Sequence, residues 1–218
     1  MITIVLAGLT LPLLARINIP RARDAVKLAG VWNSFHSALK PLLVSDIAIR
    51  TSEGMADIFV VLYVTDVTRV TVPRYGVLVA IELATAILVY IPSAKLAARS
   101  GRKPFVIATF VCFSLFPVAV VFAHTFGQLI IVFVIGGLRE MGEPARKAII
   151  VDLSDRQLRG RTVGLYYLIR SLSITPASAI GGLLWKVGPS LPFIVAAAIG
   201  VIGTVLFTAT VREPEAAF

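Results

Sequence analysis

The sequence predicts an all-α integral membrane protein. Three observations carry that prediction. The 218-residue chain is 57% hydrophobic and only 15% charged, where soluble domains carry about 25% charge. Its mean hydropathy is +0.89. Its apolar residues also gather into runs of the length that crosses a bilayer as a helix, about 20 residues. Only a helix or a closed barrel satisfies every backbone group in lipid, and continuous apolar runs fit the helix.

Four runs meet the length criterion directly: 76–96, 105–124, 162–185 and 190–211. A fifth begins at Phe126 as FGQLIIVFVIG and continues into the charged stretch GLREMGEPARKA, residues 137–148. A sixth, about 45–70, is polar at its start but contains IFVVLYV at 58–64. In chain order these make six spans, the first at 45–70. Residues 2–15 form a shorter apolar run interrupted by Pro12, read as a short membrane segment. A cleaved signal peptide is not expected, because no positive charge precedes that run. Residues 20–43 place Val26, Leu28, Val31, Trp32, Phe35 and Leu39 at helical spacing among basic residues, as in a helix lying in the membrane interface. The expected organisation is therefore a short segment plus basic amphipathic linker, 1–44, and a six-helix membrane unit, 45–218.

The net charge of +9 and pI near 10.2 do not indicate a nucleic-acid partner, because the basic residues are dispersed between apolar spans. They report topology instead. All but Arg69, Arg74, Arg170 and Lys186 of the 21 basic residues fall on one side of the six-span layout. The positive-inside rule makes that side cytoplasmic, so both ends of the block, including the C-terminus, are expected in the cytoplasm of an inner or plasma membrane protein. Cys112 stands alone, so neither a disulfide nor a cysteine metal site is expected.

The charges within the spans are distributed unevenly. The third and sixth spans have none, the second and fifth hold Glu82 and Arg170, and the first and fourth are the most charged. Intramembrane charge generally faces a bundle interior or water, so the first and fourth spans should face inward and the third and sixth should face lipid. On the first span Asp46, Arg50, Glu53 and Asp57 share one helical face. Arg50 is placed to pair with Asp46 and Glu53, leaving Asp57 surplus. On the fourth, Arg139 and Glu143, then Glu143 and Lys147, stand at i,i+4. Arg170 lies as far from the hairpin near 156–157 as Glu143 does, so it is expected to reach Glu143 or Glu140. Glu82 has no basic neighbour within one turn and could pair with Arg170 between helices. Pro144 is expected to kink the fourth span. Candidate residues for a solute or proton pathway are therefore Glu53, Asp57, Glu82, Arg139, Glu140, Glu143 and Arg170. For Glu82, Glu140 and Glu143 the functional reading is proton exchange; for Arg139 and Arg170 it is binding an anionic group. The alternative for Arg139, Glu140, Glu143 and Arg170 is an ionic lattice that only locks helices together, and for Glu53 and Asp57 it is an interfacial turn with ordinary ion pairs. Ala177 with Gly181, Ser178 with Gly182 and Ala196 with Gly200 are spaced for close helix contact.

The loop AKLAARSGRKP at 94–104 resembles the cytoplasmic loop signature of the major facilitator superfamily. Arg99, Gly101, Arg102 and Lys103 match; Ala94 and Ala98 replace its first Gly and its Asp, so the family's acidic latch is missing at that position. RGRTVGLYYLIR (159–170) and AIGGLLWKVGPSLPFIVAAAIGVIG (179–203) resemble the last two helices of such a transporter. The resemblance covers roughly 45–211. It implies a six-helix half bundle of two inverted three-helix repeats, with the first helix of each triple lining the cavity, and makes run 2–15 similar to the family's sixth helix. It further implies secondary active transport of a small solute by alternating access, with proton-coupled efflux as the mode. By this reading five preceding helices are absent, and a second transporter half or a homodimer would complete the bundle.

Two other function classes compete with transport: a membrane-embedded lipid-modifying enzyme and a non-transporting assembly or regulatory protein. The enzyme would need clustered Asp or His ligands at the interface, whereas His36 and His124 are assigned to opposite sides and Asp152 and Asp155 read as loop. No phosphate-binding GxxxxGK[ST] is present. The expectation is no enzyme activity, no cofactor and no metal, with lipid, a small solute and protons as partners.

Overall fold

A computed structural model describes residues 31–32 and 35–211. The run 2–15, most of the basic linker and Arg212 lie outside the described residues. Those described fold into helices: α1 (Leu39–Leu62), a π-helical turn (Tyr63–Val67), α2 (Val72–Ser100), α3 (Lys103–Phe122), α4 (Phe126–Leu138), α5 (Glu143–Asp152), α6 (Arg159–Ile174), α7 (Ala177–Val187) and α8 (Leu191–Thr210). Three of them, α2, α3 and α8, are long and apolar enough to cross a membrane.

The helix starts follow local chemistry. Pro73, Pro104, Pro144 and Pro192 open α2, α3, α5 and α8 within the first turn, where a missing N–H costs no intrahelical bond. Thr125 and Gln128 form a reciprocal capping box at the start of α4. Gly101 ends α2 at φ 96, a left-handed conformation open to glycine without penalty, and so turns the chain directly into α3.

Two predicted spans differ from the structure. The fourth is not one kinked helix but two, α4 and α5, separated by four turn residues, 139–142. The break precedes Pro144, which lacks an N–H and therefore favours beginning a helix there over continuing one. The fifth is likewise divided at Thr175–Pro176 into α6 and α7. The first starts earlier than predicted, at Leu39, and ends in the π-helical turn.

Helix α1 is the hub, packed on α8, α7, α6 and α3. Two of the three small-residue pairs sit at close helix contacts, while a Cβ on Gly182 would meet only Phe59 at an ordinary 3.8 Å. A Cβ on Gly181 would come within 2.5 Å of the Met55 carbonyl oxygen, and one on Gly200 within 2.8 Å of Ser114 Oγ. Buried apolar residues form two separate clusters. One includes Leu39, Leu42, Ile49, Phe110, Phe113, Ile149, Tyr166 and Phe207. The other includes Met55, Val60, Tyr63, Leu78, Phe116, Leu129, Phe133 and Phe193. The buried charges lie where the two clusters meet along α1, between Ile49 and Met55 and on either side of them.

Helices α3 and α8 bury one face and expose Val111 and Leu115, and Val201, Ile202 and Val205. Yet the least buried of the three long helices is α2, which the charge pattern had not marked as peripheral. Its open stripe, Leu83, Ile87, Leu88 and Ile91, is apolar, while Glu82 on the same helix turns inward.

Candidate functional site

The site is a layer of ionised side chains built from α1, α2, α6 and the broken segment α4–α5. Its first group centres on Arg139, the residue immediately after α4. With the helix ended, its backbone N–H bonds the Gly136 carbonyl at 3.2 Å, and Nε donates to the same oxygen at 3.0 Å. Nη1 donates to both oxygens of Asp57 on α1, at 2.9 and 3.1 Å. Nη2 donates to Glu82 Oε1 on α2 at 2.6 Å. The guanidinium also lies 4.2 Å from the Phe116 ring centroid. One arginine thus joins three chain segments.

Glu82 reaches Arg139 because two glycines let α2 approach α4. A Cβ on Gly136 would lie 2.8 Å from Glu82 Oε1, and one on Gly137 would lie 2.5 Å from both the Glu82 carbonyl oxygen and Thr85 Cβ. Gly137→Val is therefore expected to force α2 outward and detach Glu82, with an overpacking cost of about 1–3 kcal/mol. Thermal unfolding of the purified chain checks this; an unchanged midpoint would reject the close-approach argument.

The second group surrounds Asp46, which is fully buried. Its Oδ2 accepts from Arg146 Nη1 at 2.6 Å, the Tyr166 hydroxyl at 3.0 Å and Arg170 Nη1 at 3.4 Å. Arg146 also donates to both oxygens of Glu143, at 3.2 and 2.8 Å. Arg50 is ion-paired with Glu143 and with Glu53 at 2.7 Å, and stands 4.0 Å from Asp46. Phe113 links the two groups: its ring centroid is 5.0 Å from the Arg50 guanidinium and 5.2 Å from that of Arg139. Burial is asymmetric across the layer. The arginine side chains are 2–18% exposed, while Glu53, Asp57 and Glu82 reach 28, 35 and 22%.

Several predicted pairings are corrected. Arg139 does not pair with Glu143, because an i,i+4 contact needs a continuous helix and the chain is unwound between them. Arg170 meets Asp46, not Glu143, Glu140 or Glu82. Asp57 is not surplus, and Glu82 finds its basic partner between helices; both hold Arg139. Glu140 joins no ion pair among the described residues. Arg50 does bridge Asp46 and Glu53, and Lys147 stands 4.0 Å from Glu143. Sequence reasoning missed Arg146, Tyr166 and the two phenylalanines as site components. For Arg146 a signal existed, since it lies three residues after Glu143 on one helical face.

At the α2–α3 loop Arg102 pairs with Asp152, the last residue of α5 and not the loop residue expected. An acid from another helix thus meets the basic loop whose own acidic position is Ala98. Lys103 Nζ donates to the Thr208 carbonyl at 3.0 Å. Both partners of the Arg102 pair are well exposed, so it is worth at most about 1 kcal/mol.

The family model of the Major Facilitator Superfamily matches residues 42–217. Among similar curated proteins, the Uncharacterized MFS-type transporter MJ1317 of Methanocaldococcus jannaschii is 26% identical over 167 residues, covering 73% of this chain and 42% of that protein. The Quinolone resistance protein NorA of Staphylococcus aureus is 24% identical over 141 residues, covering 64% of this chain and 36% of its own length. The chain thus spans less than half the length of the curated relatives it matches. The match takes in every helix from α2 to α8 and all but the first turn of α1. With its long apolar helices, this is a multi-pass membrane protein, and it belongs to the major facilitator superfamily.

Proposed function

We propose that the chain is a transporter unit that moves a small solute across the cell membrane by alternating access, coupled to protons and directed outward. The observation that carries this reading is the broken segment α4–α5, whose turn places Arg139 against Asp57 and Glu82. Unwound helices near mid-membrane are where transporters of this architecture bind solute and coupling ion, and irregular backbone at that depth needs protein or cavity water around it. In this reading α1, α2, α3, α4–α5, α6–α7 and α8 make six passes in two inverted triples. The basic α2–α3 loop is cytoplasmic, as is the C-terminus. Similarity to a quinolone resistance protein supports the outward direction. The apolar stripe of α2 supports completion of the cavity by a second six-helix unit, whether on the same polypeptide or on another copy.

Asp57 and Glu82 share one guanidinium, so protonation of either weakens one arm of the Arg139 bridge and loosens α1 or α2 from α4. That is the coupling step. Proteoliposomes containing the chain, given an imposed pH gradient, are expected to show solute flux that collapses with the gradient. Asp57→Asn and Glu82→Gln are expected to lower gradient-driven flux at least tenfold while leaving solute exchange without a gradient intact. Gradient-driven flux unchanged in both variants would reduce the layer to scaffolding and reject proton coupling through it.

A further inference from the structure

Two cations at the Gly101 end of α2 take no part in the ionic layer. Lys95 and Arg99 are exposed and stand at i,i+4, so they share one side of the helix. Among the described residues neither has an ion pair or a side-chain hydrogen bond. The basic residues of the following loop differ: Arg102 pairs with Asp152, and Lys103 donates to the Thr208 carbonyl. Lys95 and Arg99 instead line a hollow of about 640 Å³ with Pro92, Leu96 and Ala98, and no carboxylate is among its described lining residues.

The hollow continues an open face of α2. Val77, Ala84, Leu88, Pro92, Lys95 and Arg99 are all exposed and recur at intervals of three, four or seven residues, which is one face of a helix. Leu88 is 73% exposed. The face is apolar as far as Pro92 and basic from Lys95 onward. From Lys95 to Ala84 it runs about 16 Å along the axis, the depth of one hydrocarbon leaflet. It is centred about 100° round the helix from the line of Leu83, Ile87 and Ile91, so a protein neighbour seated on that line need not cover it.

We propose that this face is the binding site for one anionic phospholipid, its phosphate held by Lys95 and Arg99 in the hollow and an acyl chain laid along Pro92, Leu88 and Ala84. The proposal rests on α2 crossing the bilayer and not on the transport reading. Charge selects the class of lipid. An ammonium and a guanidinium one turn apart can contact the same phosphodiester. Two cations without a protein partner favour a headgroup of net negative charge over a zwitterion, whose own cation would join them. Geometry selects a lipid over free phosphate, because the cations stand at the end of an open apolar face of leaflet depth. Their long aliphatic stems can lie on that face while the charges stay at headgroup level.

The test offers the full chain, in detergent, equal amounts of palmitoyl-oleoyl phosphatidylglycerol and phosphatidylcholine. Native mass spectrometry is expected to show one phosphatidylglycerol retained at least tenfold more tightly than phosphatidylcholine. Lys95→Gln with Arg99→Gln is expected to weaken that binding at least tenfold, and Lys95→Arg with Arg99→Lys to keep most of it. Arg156→Gln with Arg159→Gln removes the same charge from exposed positions elsewhere in the chain. This control is expected to leave binding unchanged, which separates a site from general attraction to a basic protein. Leu88→Ser, at an open position, is expected to weaken binding severalfold with both cations intact. A hundredfold excess of glycerol 3-phosphate is expected not to displace the lipid. No retained lipid, equal retention of the two lipids, or displacement by glycerol 3-phosphate would overturn the proposal. So would unchanged binding in Lys95→Gln with Arg99→Gln, or an equal loss in the Arg156 and Arg159 control.

Discussion

Replacing Arg146 with methionine is expected to destabilise the folded chain by about 3–5 kcal/mol, the range for stranding the partner of a buried ion pair. Arg146 is 1% exposed and is the shared partner of Asp46 and Glu143. Without it Asp46 keeps the Tyr166 hydroxyl at 3.0 Å and Arg170 at 3.4 Å, and Glu143 keeps Arg50. Two carboxylates in a dry interior would then share fewer compensating charges. The measurement is thermal unfolding in detergent, where the midpoint should fall by about 6 °C or more. Adding Asp46→Asn should recover part of the loss, since it removes one of the two stranded charges while keeping an acceptor for Tyr166. A single variant that melts with the parent would show that Arg146 contributes little to holding α1 against α5.

Arg139→Met should have the second largest effect, and a different signature. It frees Asp57 and Glu82 together, removing a side chain that joins α1, α2 and the end of α4. The stability loss should fall below the ~3–5 kcal/mol of a fully buried pair, because both carboxylates are partly exposed and can gain water. Gradient-driven flux should be lost altogether. Arg139→Lys discriminates between charge and geometry. An ammonium restores the charge but not the planar fork that serves Asp57 and Glu82 at once while stacking on Phe116. Stability should largely return and coupling should not. If lysine restored both, a point charge would suffice, and the bridging geometry would have no role in coupling.

The corrected pairings show how far one-dimensional reasoning carries. Asp46, Arg50 and Glu53 were legible as one set, because α1 is continuous there and fixed spacing places them on one face. Arg139 and Glu143 have the same spacing but lie across residues 139–142, where the helix is interrupted, and there the rule has no force. Glu82 was legible as an unusual charge but not as the partner of Arg139, because that contact depends on how closely α2 approaches Gly136 and Gly137. Hydropathy likewise gave α2 no sign of being the most open long helix. The apolar stripe Leu83, Ile87, Leu88 and Ile91 reads the same whether neighbours cover it or not.

What the sequence alone determined were properties summed over short windows: the helices, the three apolar lengths that reach across a bilayer and the glycine turn at Gly101. These follow from local hydrogen bonding and from transfer into hydrocarbon, which act residue by residue. Only the tertiary structure decided which charges meet, because an ion pair between helices depends on their rotation and distance. Those are set by packing many residues away, by glycines that admit a neighbouring backbone and by the break that turns Arg139 toward Asp57 and Glu82.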